Sequence, residues 1–155
     1  MYENCIAYLK ERGVEIEDIA NCVMYLQAPY HPEIEHALCC KAVCEVLRKR
    51  EVQHVVLTGL CLDQAAQQNL LMDEQLCDIL RKDTPLYGVD EVLAYGICNV
   101  YGSIALTNYG YVDRIKPGIL SILNEPHSGV CNTFLDDIVG AIAAAAASKI
   151  AHNCE

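Results

Sequence analysis

Tryptophan is absent from this sequence and phenylalanine occurs once, so in a chain of 155 residues the core has to be filled by Leu, Ile, Val, Ala, Tyr and Cys. Positive charge is scarce too: 11 Lys and Arg stand against 21 Asp and Glu, a formal net charge of −10. That balance repels polyphosphate and excludes nucleic acid as an expected partner, and it opposes approach to an anionic membrane surface. The basic residues that do cluster, Arg48-Lys49-Arg50 and Arg81-Lys82, have no aromatics interleaved and read as helix C-terminal charges that complement the dipole. No basic n-region opens the chain, which begins Met1-Tyr2-Glu3-Asn4, so a cytoplasmic location is expected. With 53% hydrophobic residues against 21% charged, the chain has ample apolar surface for a core, which excludes a disordered protein.

Ten cysteines are present, but no C-x-x-C pair occurs. His36, Cys39, Cys40 and Cys44 lie close enough in sequence to resemble part of a zinc ligand set. Periodicity argues against that reading. Cys40, Val43, Cys44 and Leu47 recur at helical spacing, as do Ile19, Cys22, Val23 and Leu26, so cysteine serves as a small core residue and all ten are expected to be reduced.

The helical period predicts helices near 2–12, 15–27, 33–49, 51–71, 74–82, 88–108, 111–124 and 133–152, and strand signals are nearly absent. Gly13 stands where a C-cap would, Pro29 and Pro32 frame a turn with Pro32 at a first helical position, and Asp83-Thr84-Pro85 breaks the chain again. No linker or repeat divides residues 1–155. The expected fold is all-α, a single-domain helical bundle with a buried central helix of small residues.

Two segments are apolar on every side, the pattern of an enclosed helix. Val92 to Val112 holds no charge and is long enough to span a bilayer. Gly96, Asn99, Gly102, Ser103, Thr107, Asn108 and Gly110 interrupt it, and no flanking Lys/Arg cluster would orient it, so a core element is expected and no transmembrane span. Ile138 to Ala147 is the second segment, with Gly140, Ala144 and Ser148 at four-residue intervals that let neighbouring helices approach closely.

Acidic residues at the start of such helices are informative, because a charge there needs helix N–H groups, a cation or a metal beside it. Asp90-Glu91 opens the first segment and Asp136-Asp137 the second. If the two helix starts lie together, up to four carboxylates converge, a cluster that a divalent cation makes tolerable. Thr133-Phe134-Leu135-Asp136 also fits a capping box, in which Asp136 would reach back to the backbone at Thr133 while Asp137 stays unexplained. Asp113-Arg114-Ile115-Lys116-Pro117 adds a carboxylate and two cations, suited to binding phosphate beside a hard metal or equally to an ordinary surface turn. Asp63 is a further odd carboxylate within an apolar run, more in keeping with a salt bridge than with catalysis.

Gly88-Val89-Asp90-Glu91, then Asp113-x-x-Lys116-Pro117, then Gly129 followed by Phe134-Leu135-Asp136-Asp137-Ile138-Val139-Gly140-Ala141, together resemble the phosphatidylglycerophosphatase A family in its soluble, YutG-like branch. The resemblance covers roughly the C-terminal two-thirds of the chain. It implies Mg²⁺-dependent removal of the terminal phosphate from phosphatidylglycerophosphate to give phosphatidylglycerol. On that resemblance Asp90, Glu91, Asp113, Asp136 and Asp137 form the acidic centre and Lys116 is its phosphate-side cation. Asp90, Glu91, Asp136 and Asp137 are the expected ligands of Mg²⁺, with Mn²⁺ as the alternative ion.

Two features differ from the membrane-bound members: residues 1–50 here are amphipathic helices in place of a Gly/Pro/Thr-rich loop between hydrophobic spans, and the usual Ala-Gly after the Asp-Asp-Ile stretch is reversed, as Gly140-Ala141. The expected partner is a phosphomonoester or phospholipid substrate, with peripheral membrane contact and homo-oligomerisation both open. The alternatives are a hydrolase of a soluble phosphomonoester, or a non-catalytic regulatory or oligomeric helical protein that keeps a divalent-metal site.

Overall fold

The computed structural model describes residues 1–127 and 129–153, and among these there are helices and turns but no strand. In chain order the helices are α1 (Tyr2–Glu11), α2 (Ile16–Gln27), α3 (His36–Leu47), α4 (Arg50–Gln67), α5 (Glu74–Arg81), α6 (Val89–Tyr101), α7 (Ser103–Ile115), α8 (Ile119–Asn124) and α9 (Leu135–Asn153). The all-α expectation holds, and the alanine-rich helix is the centre: α2, α3, α4, α6, α7 and α8 all pack on α9. Every residue of α9 from Leu135 to Ser148 is buried, the outcome required of a helix with no polar face beyond its first turn. No helix among the described residues is long and apolar enough to cross a membrane.

The uncharged segment is two helices where one was predicted over 88–108. Gly102 separates them at φ 83 and ψ −165, a conformation that glycine adopts without a Cβ clash. The Tyr101 carbonyl at the end of α6 then accepts a hydrogen bond of 3.0 Å from the Ser148 hydroxyl of α9, so the break leaves that buried group satisfied. A second break divides the predicted 111–124 helix. Pro117 disfavours helical backbone at the residue before it, and Lys116 closes α7 in the left-handed region at φ 52 before the chain re-enters helix at Ile119. Pro32 does not open a helix. It lies in a turn, and α3 begins at His36 with Glu35 as its N-cap.

The cysteine reading holds for the buried thiols and fails at Cys61, which is exposed on α4. Ile19, Cys22, Val23 and Leu26 are buried as expected, but on α3 the buried stripe is Cys39, Ala42, Val43, Val46 and Leu47, with Cys40 and Cys44 at its edge. The nine described cysteines are free thiols; Cys154 lies outside the described residues. Burial pushes the thiols of Cys22, Cys39 and Cys131 up to about 11 and that of Cys98 up to about 12, values of inert packing residues.

Gly59 lets α4 approach the start of α9. A Cβ there would overlap Ile138 Cδ1 and stand 3.2 Å from Phe134 Cβ, both in fully buried side chains. Gly59→Val is therefore expected to destabilise the protein by about 1–3 kcal/mol of overpacking, against a helix-propensity gain of only about 0.4 kcal/mol. Urea unfolding monitored by circular dichroism measures it, and an unchanged midpoint would show that α4 and α9 are not in close contact at this point.

Candidate active site

Three helix ends meet at one cavity of about 420 Å³. The start of α6 brings Asp90 and Glu91, the start of α9 brings Asp136 and Asp137, and the end of α7 brings Asp113 and Lys116. All five acids named from the sequence, and the lysine, therefore line a single site. Two helix N-termini point their partial positive charge at it, which favours the ionised form of the acids in their first turns. Asp90 uses one oxygen locally, accepting the Glu91 backbone N–H at 3.0 Å.

Lys116 holds the centre of the cluster. Its Nζ lies 2.6 Å from Asp113 Oδ1, 2.8 Å from Asp136 Oδ2 and 3.9 Å from Asp137 Oδ1. The left-handed turn at Lys116 is what returns its side chain from the end of α7 across the start of α9. Burial opposes the ammonium charge, but the carboxylates of Asp136 and Asp113 outweigh it and hold the Lys116 pKa above the ordinary lysine value. Lys116, which the family resemblance implies as the phosphate-side cation, sits among the acids.

One lysine does not neutralise five carboxylates. Asp137 is 5% exposed, and its pKa is raised well above the aspartate range by burial first and by Asp136 second. Asp136 is raised as well, by burial, with Lys116 pulling against it. Glu91, at the rim, is raised by burial and by Asp113 and Asp90. Tyr109 holds Asp137 in place: its hydroxyl donates to Asp137 Oδ1 at 2.9 Å, and its ring stands edge-on to Tyr95 at 5.4 Å between centroids.

The capping box does not form. Thr133 Oγ1 donates to the Leu80 carbonyl at 2.5 Å, and Asp136 turns to Lys116. The cap of α9 comes from Asp63 on α4, whose carboxylate accepts Phe134 N at 3.0 and 3.2 Å and Leu135 N at 3.0 Å. Asp63 is thus a tertiary helix cap, and it has no salt bridge among the described residues. It is fully buried, and desolvation pushes its pKa up to about 7 against the pull of those backbone N–H groups. By fixing the first turn of α9 it also fixes where Asp136 and Asp137 point.

Asp83 and Tyr87 of the loop before α6 and Asn124 at the end of α8, which also line the cavity, were not identified from sequence, and neither was the buried Tyr109 that hydrogen-bonds Asp137. A signal existed for Tyr109, which lies four residues before Asp113 and so on the same face of α7. For Asp83, read as part of a chain break, there was none. A hard divalent cation suits the donor set: the oxygens are carboxylates, negative charge is in excess, and Asp137 is an acid whose proton a metal would displace. Among the described residues no three potential ligands stand in a ready metal-binding group, and Lys116 is the cation between them.

The fold and site thus define an all-α protein with an acidic cavity at the end of an enclosed alanine-rich helix. The family model for phosphatidylglycerophosphatase A matches residues 6–152, and the chain belongs to that family. It is 57% identical to the Bacillus subtilis protein YutG over 146 residues, covering 94% of this chain and 87% of YutG. Among solved structures, the low temperature requirement C protein from Listeria monocytogenes superposes with a TM-score of 0.96 at 56% identity, covering 99% of this chain and 96% of that one. A Bacillus stearothermophilus protein superposes with a TM-score of 0.96 at 54% identity, covering 100% and 96% of the two chains. The matched span takes in the amphipathic N-terminal helices as well as the acidic motifs.

Proposed function

We propose that this chain is a Mg²⁺-dependent phosphatase that hydrolyses the terminal phosphomonoester of phosphatidylglycerophosphate by direct attack of water, without a covalent enzyme intermediate. The observation that carries this reading is the convergence of Asp90, Glu91, Asp113, Asp136 and Asp137 with Lys116 on one open cavity in a member of this family. Asp90, Glu91, Asp136 and Asp137 would hold the ion, with Mn²⁺ as a substitute. When bound, the ion would supply charge neutralisation at phosphate oxygens and would lower the pKa of a bound water. Asp113 is left outside that set, and we assign to it the proton of the attacking water. Lys116 would offset charge on the phosphate, and the proton taken up by Asp113 would be available to the leaving oxygen as its bond to phosphorus breaks. Tyr109 keeps Asp137 oriented throughout by its hydrogen bond.

Phosphate release from phosphatidylglycerophosphate in mixed micelles and from glycerol 3-phosphate, each with Mg²⁺ and with EDTA, tests the reading. Metal-dependent release from the lipid is the expected result. Release from the soluble ester alone would make the protein a soluble phosphomonoesterase, and no release from either would leave a helical protein with an acidic binding site.

A further inference from the structure

The uncharged stretch from Val92 to Val112 is buried on one side only. Its two helices form an antiparallel hairpin on α9, since the start of α6 and the end of α7 both reach the acidic cavity, and Tyr95 meets Tyr109 edge-on between them at 5.4 Å. On the outer face Val92, Tyr95, Val100, Ile104, Leu106 and Tyr111 are between 39% and 64% exposed, and every other exposed position of the stretch is Gly, Asn, Ser or Thr. Exposed positions elsewhere in the bundle carry charge, as Glu3, Lys10 and Glu11 do on α1. Packing on α9 therefore does not account for the missing charge. Two helices of 13 residues, each about 20 Å long and about 8–10 Å apart, present a face of about 20 by 20 Å, the scale of the apolar patches that mark contact surfaces. Tyr25 of α2 extends it, stacked on Tyr111 at 6.2 Å between ring centroids.

We propose that the outer face of the α6–α7 hairpin is the contact surface for a second copy of this chain, joined about a two-fold axis that runs along the hairpin. Charge decides the occupant. A chain of net charge −10 repels its own copy wherever carboxylates meet, and on this face two copies touch without bringing carboxylates together. The stretch holds no Lys or Arg to take up anionic headgroups, which disfavours a lipid surface. At the cavity end, two exposed charges of opposite sign border the face, Glu91 on α6 and Arg114 on α7. Arg114 has no carboxylate within ion-pair distance among the described residues. A two-fold along the hairpin lays α6 of each copy over α7 of the other, so Glu91 of one copy meets Arg114 of the other, and the pair forms twice. A two-fold across the hairpin would instead set Glu91 over the uncharged tip at Gly102. The contact brings an arginine of each copy to the rim of the other's acidic cavity, and it holds whether or not the phosphatase reading does.

Sedimentation equilibrium of the full chain in EDTA tests the contact, and the wild type is expected at twice the chain mass. Val100→Lys and Ile104→Lys, both at exposed positions, should leave the circular dichroism unchanged and raise the dimer Kd by about a hundredfold or more, because each new charge is buried twice without a partner. Met72→Lys, at a fully exposed apolar residue outside the face, should leave Kd unchanged. Arg114→Glu and Glu91→Arg should each raise Kd by about tenfold, and the two together should return it towards the wild-type value. A monomeric wild type would overturn the proposal, and flotation of that monomer with phosphatidylcholine vesicles would make the face a lipid-docking surface instead. A dimer left intact by Val100→Lys and Ile104→Lys, equal weakening by Met72→Lys, or no recovery in the double exchange would overturn it as well.

Discussion

Asp137→Asn is expected to leave the metal-free protein as stable as the wild type or more so, and to abolish both its stabilisation by Mg²⁺ and its phosphate release. The carboxylate is buried beside Asp136, so its ionised form is disfavoured in the folded state, and an amide removes that cost. The amide oxygen still accepts the Tyr109 hydroxyl, which keeps the packing intact. Linkage fixes the sign of the pH effect. A carboxyl whose folded pKa is raised keeps its proton where the unfolded chain has lost it, so metal-free wild-type stability falls as pH rises from about 4, the unfolded aspartate value. That slope should flatten in Asp137→Asn. A divalent cation acts in the opposite direction, since it binds the deprotonated acids, and at a concentration of 100 times Kd it adds about 2.7 kcal/mol. Thermal melts between pH 5 and 8 with EDTA and with Mg²⁺ measure both effects, and a phosphate-release assay should show a loss on the order of a hundredfold or more. An unchanged Mg²⁺ response in the variant would remove Asp137 from the site.

Asp63→Ala is expected to be the most destabilising single change at the acidic end of the bundle. It leaves the N–H groups of Phe134 and Leu135 buried without an acceptor, at about 1–3 kcal/mol each, a total of roughly 2–6 kcal/mol against the ordinary cap loss of 0.5–2. Asp63→Asn keeps the shape and one acceptor oxygen, so it should fall between the wild type and alanine. It should also flatten the part of the pH dependence that lies between about 4 and the folded Asp63 value of about 7, through which wild-type stability declines. Because the next turn of α9 carries Asp136 and Asp137, the asparagine variant should bind Mg²⁺ more weakly even where it is fully folded. Urea unfolding with and without the ion tests the pair. If Asp63→Ala shifts stability by less than about 0.5 kcal/mol, the range of an ordinary surface substitution, Asp63 is not the cap of α9.

Local chemistry made the helices, the enclosed α9 and the candidate acids legible from the sequence. Apolar residues at helical spacing report burial wherever they fall, and a run such as Ile138 to Ala147, apolar on every side, can be satisfied only inside the molecule. Acids at the starts of apolar helices stood out because their charge has no local compensation. The helix breaks were harder to see. Gly102 within an apolar stretch signals close packing and chain reversal equally well, and the break is accommodated by Ser148, 47 residues beyond Tyr101, taking up the Tyr101 carbonyl.

The cap of α9 shows the limit most clearly. Thr133 and Asp136 supplied a local capping pattern, yet the donor groups went to Asp63, 71 residues from Phe134, because the approach of α4 at Gly59 puts a buried carboxylate at the helix end. That left Asp136 free for Lys116. Sequence by itself determined which residues carry charge, which segments must be enclosed and that the chain is helical, but not where α6, α7 and α8 break. Only the packing of α6 and α7 on α9 decided that three helix ends share one cavity, since hydrophobic burial is indifferent to which polar ends it brings together.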